Sequence, residues 1–147
     1  ILGKPQSKAH AFEMWSQLSG RKHQVYSGVC VCTATQSLSI VVCTEVEFQI
    51  LSHNDMDRYW ATSEPLGKAG AYAIQGIAAQ YIPRIIGSYS NVVGLPLYET
   101  VQLLKAVISA GRIVCSKVYL YIKMHIDTIN FLCSITCDSK LFLLKKT

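Results

Sequence analysis

The sequence predicts an α/β fold in which a mixed β-sheet is flanked by helices. Two consecutive segments, HQVYSGVCVCTA and SIVVCTEVEFQI, are rich in β-branched and aromatic residues and are separated by a polar break, which is typical of a hairpin of long antiparallel strands. Amphipathic segments with capping residues lie on both sides of this hairpin and predict helices. A chain of 147 residues, half of them hydrophobic, is long enough to bury a core as one domain.

Two helices are predicted around the hairpin. SKAHAFEMWSQLSG starts at Ser7, a favourable N-cap, and ends at Gly20, which can adopt the left-handed conformation of a helix stop. SHNDMDRYWAT starts at Ser52, and Asp55 at the third helical position completes a capping box. In the second strand, alternate residues are expected to share one face, namely Val42, Thr44, Val46 and Phe48.

A strand and a helix are predicted after residue 80. YIPRIIGSYSNVVG is expected to form a strand in which Pro83 marks a sheet edge or a bulge. LPLYETVQLLKAVISAG is expected to form a helix that ends at Gly111. The buried face of this helix is predicted to hold Leu97, Val101, Leu104 and Ile108.

We expect residues 1–111 to form the domain and residues 112–147 to form a tail of different character. The tail is dense in Ile, Leu, Cys and Lys, contains no Gly or Pro and shows no clean period. It carries six Lys/Arg against two Asp/Glu, whereas residues 1–111 carry eight against seven. Because the positive charge is concentrated at one end of the chain, nucleic acid is not an expected partner.

Neither a membrane span nor a zinc site is expected. The longest uncharged run of the tail, from Thr128 to Cys137, is too short for a bilayer, which requires about 20 apolar residues. The six cysteines include no C-x-x-C pair, and Cys133 has no matching histidines around it. Cys30 and Cys32 would share a strand face, where a disulfide would distort the backbone. Reduced cysteines are typical of the cytoplasm, which is the location that we predict.

The segment EPLGKAGAYAIQG, residues 64–76, combines small residues with one cation and one amide. Its glycines and alanines remove side-chain bulk, so that backbone N–H groups can approach an anion. Lys68 could pair with a phosphate, and Gln75 can both donate and accept hydrogen bonds, as recognition of a base edge requires. Lys4, in GKP, is held between a glycine and a proline and is also suited to contact a phosphate. The alternatives are a tight strand-to-helix connection and solvated surface lysines.

No complete catalytic set can be assembled from the sequence. His23 could act as an acid–base group near neutral pH, although a structural role is commoner for a lone histidine that opens a strand. Ser27 has no obvious neighbouring base, and the carboxylates form no convincing metal pair.

The segments GKP, a helix ending LSG, HQVYSGV, TEVEF, EPLGKAGAYAIQG and SNVVGLPLYET follow one another within residues 1 to about 110. In order and spacing they resemble the Maf family of nucleoside triphosphate pyrophosphatases, once described as septum-formation inhibitors. The resemblance implies a fold related to inosine triphosphate pyrophosphatases, with a cleft between two lobes. It also implies cleavage of a nucleoside triphosphate to a monophosphate and pyrophosphate with a divalent cation, Mg²⁺ or Mn²⁺. The KAGAY…IQG form resembles the branch that acts on dTTP and UTP.

The resemblance assigns expected roles to three residues. By matching motif positions, Lys4 resembles a lysine that contacts phosphate, and Lys68 resembles a second cation near the phosphates. Gln75 resembles the residue that helps to select the base. The expected partner is therefore a nucleoside triphosphate substrate.

Two family motifs do not occur in the 147 residues. They are an arginine-rich S-x-S-P-R-R loop and a G-A-D-T segment whose aspartate is taken as the general base. We expect both to lie upstream of Ile1, so that the catalytic base is not among these residues and this chain alone is nearly inactive. Ser63 also departs from the family, which usually has a glycine before EPL. Without a first strand the sheet would have an unpaired edge, so self-association, including a homodimer, is expected.

The sequence is also compatible with two other functions. The first is a non-catalytic nucleotide-binding or regulatory protein of cell division. The second is a membrane-surface or interaction module, for which the basic and hydrophobic tail would be responsible.

Overall fold

A computed structural model describes residues 1–33, 37–109, 118–125 and 129–135 of the chain. Helix α1 is followed by two long strands, a second helix, two short 3₁₀ turns, a short strand, two more helices and two further strands. In chain order the elements are α1 (Lys8–Leu18), β1 (Lys22–Cys32), β2 (Ser37–Glu47), α2 (His53–Ala61), 3₁₀ turns Ala69–Ala71 and Ile77–Tyr81, β3 (Arg84–Ile86), α3 (Tyr89–Val93), α4 (Leu97–Ser109), β4 (Val118–His125) and β5 (Ile129–Ile135).

The strands form one five-stranded sheet in the order β3-β2-β1-β4-β5. The α/β class with flanking helices is confirmed. The sheet is not mixed in this part of the chain, because all four described strand pairs are antiparallel. For two of the pairs, β1–β2 and β4–β5, the short connection accounts for this, since a parallel pair needs a long crossover. The backbones of β4 and β5, which belong to the segment 112–147, extend the same sheet.

The capping residues fix the starts of the first two helices as the sequence predicts. The Ser7 hydroxyl accepts the N–H of His10 at 3.1 Å, and Gly20 adopts a φ of 67° after the end of α1. At α2 the Ser52 hydroxyl accepts the N–H of Asp55 at 3.1 Å, and the Asp55 carboxylate accepts the N–H of Ser52 at 2.9 Å. These reciprocal bonds satisfy N–H groups that have no partner within the helix.

The core lies on one face of the sheet, beneath α1, α2 and the connections that follow α2. The residues expected to share a face are all buried, namely Val42, Thr44 and Val46 of β2 and Phe48 directly after it. The larger of two clusters joins α1, the sheet and α2, with Trp15, Val46 and Tyr59 among its members. The smaller cluster lies beneath α4 and contains Val29, Val31 and Val107.

The strand predicted over YIPRIIGSYSNVVG is much shorter than expected. Only Arg84–Ile86 forms a strand, and it lies at the edge of the sheet directly after Pro83, as the proline predicts. Gly87 then turns the chain with a φ of 122°. The Ser88 hydroxyl accepts the N–H of Asn91 and starts α3, so the β-branched residues that follow are helical.

Of the four residues predicted on the buried face of α4, Leu104 packs on the sheet as expected and the other three do not. Leu97, Val101 and Ile108 are about half exposed. The helix instead packs on the sheet with the adjacent stripe, Thr100, Leu103, Leu104 and Val107. Thr100 can be buried because its hydroxyl donates to the Pro96 carbonyl at 2.7 Å. Gly111, the predicted end of the helix, lies outside the described residues.

Asn91 fastens α3 to the hairpin. It is fully buried, and its Nδ2 group lies 2.9 Å from Thr44 Oγ1, 3.1 Å from the Val25 carbonyl and 3.3 Å from the Val42 carbonyl. Thr44 completes the junction by donating to the Ser88 carbonyl at 3.1 Å. A buried amide that donates to several acceptors contributes more to stability than an ordinary surface hydrogen bond.

Replacing Asn91 with Ala should lower the free energy of unfolding by about 2–3 kcal/mol, because it removes the buried hydrogen bonds that the amide donates. Urea denaturation followed by circular dichroism would measure the change. Asn54→Ala, at an exposed position of α2, is the matched control and should stay within about 0.5 kcal/mol of the parent. An Asn91 variant as stable as this control would contradict the assignment.

Candidate functional site

Residues 64–76, which we call the small-residue ribbon, cross the surface between α2 and the second 3₁₀ turn. Gly70 and Ala71 both adopt left-handed backbone conformations, with φ values of 66° and 57°. A Cβ atom at Gly70 would meet the Tyr72 ring at 3.3 Å, which is tighter than ordinary contact. The positive φ of Ala71 costs on the order of 1 kcal/mol, so surrounding contacts must hold it in place.

The indole of Trp15 holds the ribbon at Ala71. Its Nε1–H donates to the Ala71 carbonyl at 2.9 Å, and both residues are almost fully buried. The N–H of Ala71 in turn donates to the Lys68 carbonyl at 3.1 Å. A helix residue 56 positions away therefore fixes the tightest bend of the ribbon.

A backbone hydrogen bond joins the GKP turn to the ribbon. The N–H of Gly70 donates to the Gly3 carbonyl at 3.0 Å. This contact brings the backbone beside Lys4 next to the backbone two residues after Lys68, and both lysine side chains are exposed. Two cations that are far apart in sequence thus lie on neighbouring segments, where an anionic ligand could meet both.

Gln75 lies on the same ribbon and is exposed, one residue before Gly76. Its neighbourhood is organised by the Glu64 carboxylate, which accepts the N–H groups of Ile77 at 2.8 Å and Ala78 at 3.2 Å. Glu64 also accepts the hydroxyl of Tyr59 at 2.7 Å. The carboxylate therefore closes the ribbon into a loop just behind Gln75.

The pKa of Glu64 reflects these contacts. Partial burial acts to raise the pKa, but the hydrogen bonds from Ile77, Tyr59 and Ala78, together with the positive charge of Lys68, outweigh it and hold the pKa below its usual range. Glu64 therefore remains a carboxylate at neutral pH and serves as an acceptor for the ribbon. The effect of Lys68 also shows that its charge is close to this network.

A cavity of about 460 Å³ opens beside Gly70, at the junction between the ribbon, β1 and the first residues of the chain. This volume lies in the range of small-molecule sites. Its walls are mostly apolar and are formed by Ile1, Leu2, His23, Gln24, Tyr26, Gly70 and Tyr72. None of Lys4, Lys68 and Gln75 lines this cavity, so it does not bring the three predicted residues together.

His23 is packed into an aromatic cluster at the cavity wall. Its ring lies 5.7 Å from Phe48 and 5.6 Å from Tyr72, measured between centroids, and its Nε2 lies 2.9 Å from the Tyr72 hydroxyl. Burial lowers the pKa of His23 to about 4, so the ring is neutral at physiological pH. Burial also raises the pKa of Tyr72. Both groups are uncharged at neutral pH, which favours a packing role for His23.

No metal centre is formed by the described side chains. Among them, no group of three His, Cys, Asp or Glu residues could hold an ion. In the same part of the chain, no helix is both long enough and apolar enough to cross a membrane.

The chain belongs to the Maf family, because the model of that family, described as Maf-like protein, matches residues 1–107. The resemblance of the sequence motifs is thereby confirmed, and the match ends before the segment 112–147. A dTTP/UTP pyrophosphatase of Acinetobacter baylyi is 70% identical over 107 residues, which are 73% of this chain and 58% of that protein.

Two further relatives agree with this assignment. A dTTP/UTP pyrophosphatase of Vibrio vulnificus is 52% identical over 104 residues, covering 71% of this chain and 56% of that protein. A nucleoside triphosphate pyrophosphatase of Haemophilus ducreyi is 48% identical over 107 residues, covering 73% of this chain and 54% of that protein. The chain thus spans somewhat more than half the length of the curated relatives that it matches.

Sequence reasoning missed two features of the site. It did not assign a role to Glu64, whose partners lie 13 and 14 residues further along the chain and leave no local pattern. It also did not connect Trp15 with the ribbon. The roles of Lys4, Lys68 and Gln75 stay predictions, since the geometry places them without showing what they bind.

The stability of the domain should depend on pH through His23. A histidine with a folded pKa of about 4 and an unfolded value near 6.5 stabilises the fold fully above pH 6.5 and loses that contribution as pH falls toward 4. His23→Phe should flatten this fall in the free energy of unfolding by on the order of 1–3 kcal/mol, measured by urea denaturation at several pH values. The exposed His53→Gln variant should keep the slope of the parent, and an unchanged slope in His23→Phe would refute this role.

Gly76 should be coupled to Glu64. A methyl group at position 76 would collide with the Glu64 carboxylate. Gly76→Ala should therefore lower the free energy of unfolding by about 1–3 kcal/mol, because the carboxylate is displaced from the groups that donate hydrogen bonds to it. Glu64→Ala removes the obstacle, so the double variant should be destabilised by clearly less than the sum of the two single changes. Strict additivity in this double-mutant cycle would show that the contact is not made.

Proposed function

We propose that this chain provides part of the substrate site of a nucleoside triphosphate pyrophosphatase that acts on dTTP or UTP. The hydrogen bond from Gly70 to Gly3 is the observation that carries the proposal, because it joins the GKP turn to the small-residue ribbon. The names of the relatives supply the reaction and the substrate class. They are names of pyrophosphatases and give no support to the regulatory alternative.

In this proposal the two lysines bind the triphosphate. Lys4 and Lys68 are exposed ammonium groups on adjoining segments. A triphosphate concentrates negative charge, and its hydrolysis is helped mainly by positioning and by neutralisation of that charge. The ribbon's own N–H groups at Lys68, Gly70 and Ala71 are bonded within the protein, so in this proposal the side chains and not the backbone contact the phosphates.

Gln75 is proposed to read the pyrimidine base. An amide offers one acceptor and two donor hydrogens, which matches the adjacent carbonyl and N–H groups of a thymine or uracil edge. Glu64 would act as a positioning residue, because its carboxylate accepts the N–H groups of Ile77 and Ala78, which directly follow Gln75 and Gly76 in the chain.

A divalent cation, Mg²⁺ or Mn²⁺, is proposed to accompany the triphosphate. The described side chains do not form a cluster that fits such an ion, so no metal-dependent step is derived from them. Magnesium is commonly held by substrate phosphates together with one or two carboxylates.

The protein is proposed to work in the cytoplasm on free nucleotides and not on nucleic acid. Cys30, Cys32 and Cys43 are free thiols, in agreement with a reducing compartment. A homodimer is the assembly that we propose, on the ground that a sheet edge and several large apolar side chains, such as Tyr98 and Val41, are exposed.

Nucleotide binding by this chain tests the proposal. Isothermal titration calorimetry with dTTP, UTP and GTP in the presence of Mg²⁺ should show pyrimidine binding that Lys4→Ala and Lys68→Ala weaken by about tenfold or more. Gln75→Ala should reduce the preference for UTP over GTP. The controls Lys105→Ala and Gln80→Ala alter exposed residues of the same types elsewhere and should bind as the parent does. Equal binding by the site variants and their controls would overturn the site.

Turnover should be very low, because the family motif with the general base does not occur in these residues. A malachite-green assay with added inorganic pyrophosphatase, on dTTP and UTP, would measure it. Turnover of about 1 s⁻¹ or more, as in ordinary enzymes, would show that the residues present include a base.

A further inference from the structure

Two cysteine thiols lie side by side on the outer face of β1. Cys30 and Cys32 are two positions apart, so both side chains leave the strand on the same face, opposite the buried Val29 and Val31. Their Sγ atoms are 3.4 Å apart, and both residues are partly exposed. The positions opposite them on β2 are Ser39 and Ser37, whose side chains are short. The pair has no part in the nucleotide site proposed above.

The separation of the two sulfur atoms suits one bridging atom better than a direct bond. A disulfide requires sulfur atoms about 2.0 Å apart and would pull two residues of an extended strand together. Two bonds of about 2.3 Å to a single thiophilic atom, meeting at about 95° as in a pyramidal centre with a lone pair, place the sulfurs about 3.4 Å apart. A tetrahedral metal with the same bond length would need about 3.8 Å.

We propose that Cys30 and Cys32 form a dithiol site that chelates trivalent arsenic. With an organic arsenic(III) oxide the reaction is a condensation without redox change. Two S–H groups react with one As=O group, two As–S bonds form, and the two protons leave with the oxygen as one water molecule. The arsenic stays trivalent, so neither an oxidant nor a reductant is needed.

The pair differs from the other described thiol, Cys43. Cys43 lies on β2 opposite Tyr26, four residues before Cys30 on the neighbouring strand. At about 3.3 Å per residue, this offset is about 13 Å along the strand. Cys43 is therefore too far away to join the chelate, although it is exposed. It serves as a matched single-thiol control on the same face of the sheet.

Phenylarsine oxide provides the test with the full chain. Native mass spectrometry should show a bound phenylarsenic group that 1,2-ethanedithiol removes and that an equal concentration of 2-mercaptoethanol leaves in place. Cys30→Ser and Cys32→Ser should each lose this adduct, whereas Cys43→Ser and a Cys133→Ser/Cys137→Ser double variant should retain it. Circular dichroism of each variant would confirm that it is folded.

A second measurement separates chelation from simple thiol reactivity. The arsenical should shift the melting temperature of the parent and of Cys43→Ser to the same extent, and should leave that of Cys32→Ser unchanged, because only the paired thiols hold it. An adduct that survives in Cys30→Ser or Cys32→Ser would overturn the proposal. An adduct that is lost only in the Cys133/Cys137 variant would overturn it as well.

Discussion

The hydrogen bond between the Trp15 indole and the Ala71 carbonyl is the constraint on which the arrangement of the site depends. It is buried and joins the first helix to the one non-glycine residue that the ribbon holds in a left-handed conformation. An unpaired carbonyl at this depth would cost about 1–3 kcal/mol. Because the bond fixes Ala71, it also sets the direction of the Gly70 N–H toward Gly3, and so the approach of the GKP turn.

The ribbon is held differently on its two sides. On one side Tyr72 packs edge-on against Phe48, with ring centroids 5.0 Å apart, and against the neutral His23. On the other side the ribbon is tied by the Glu64 carboxylate and its three donors. The aromatic contacts bury apolar surface of the ribbon, and the hydrogen bonds of Glu64 fix the course of its backbone. Between these two supports the ribbon turns its large side chains, Tyr72 and Ile74, into the core, while Lys68 and Gln75 are exposed.

The sequence predictions succeeded where the deciding interactions are local in sequence and failed where they are distant. The starts of α1 and α2 were predictable, because Ser7, Ser52 and Asp55 bond within three residues along the chain. The core-facing side of β2 was predictable from its strict alternation. The buried face of α4 was not, because two adjacent stripes are apolar enough and the choice depends on contacts with the sheet. The family was evident from the motifs, but the supports of the ribbon, Trp15 and Glu64, act over long separations in sequence.

The hydroxyl of Tyr59 connects α2 to the small-residue ribbon at two points. It accepts the N–H of Ala73 at 3.1 Å and donates to Glu64, so one side chain of the helix is bonded to the ribbon at two positions nine residues apart. A movement of the backbone around Gln75 would therefore either break these two hydrogen bonds or move α2 as well. The same helix is tied to α1 by the ion pair between Asp57 and Lys8 at 2.7 Å, so α1, α2 and the ribbon form one connected unit.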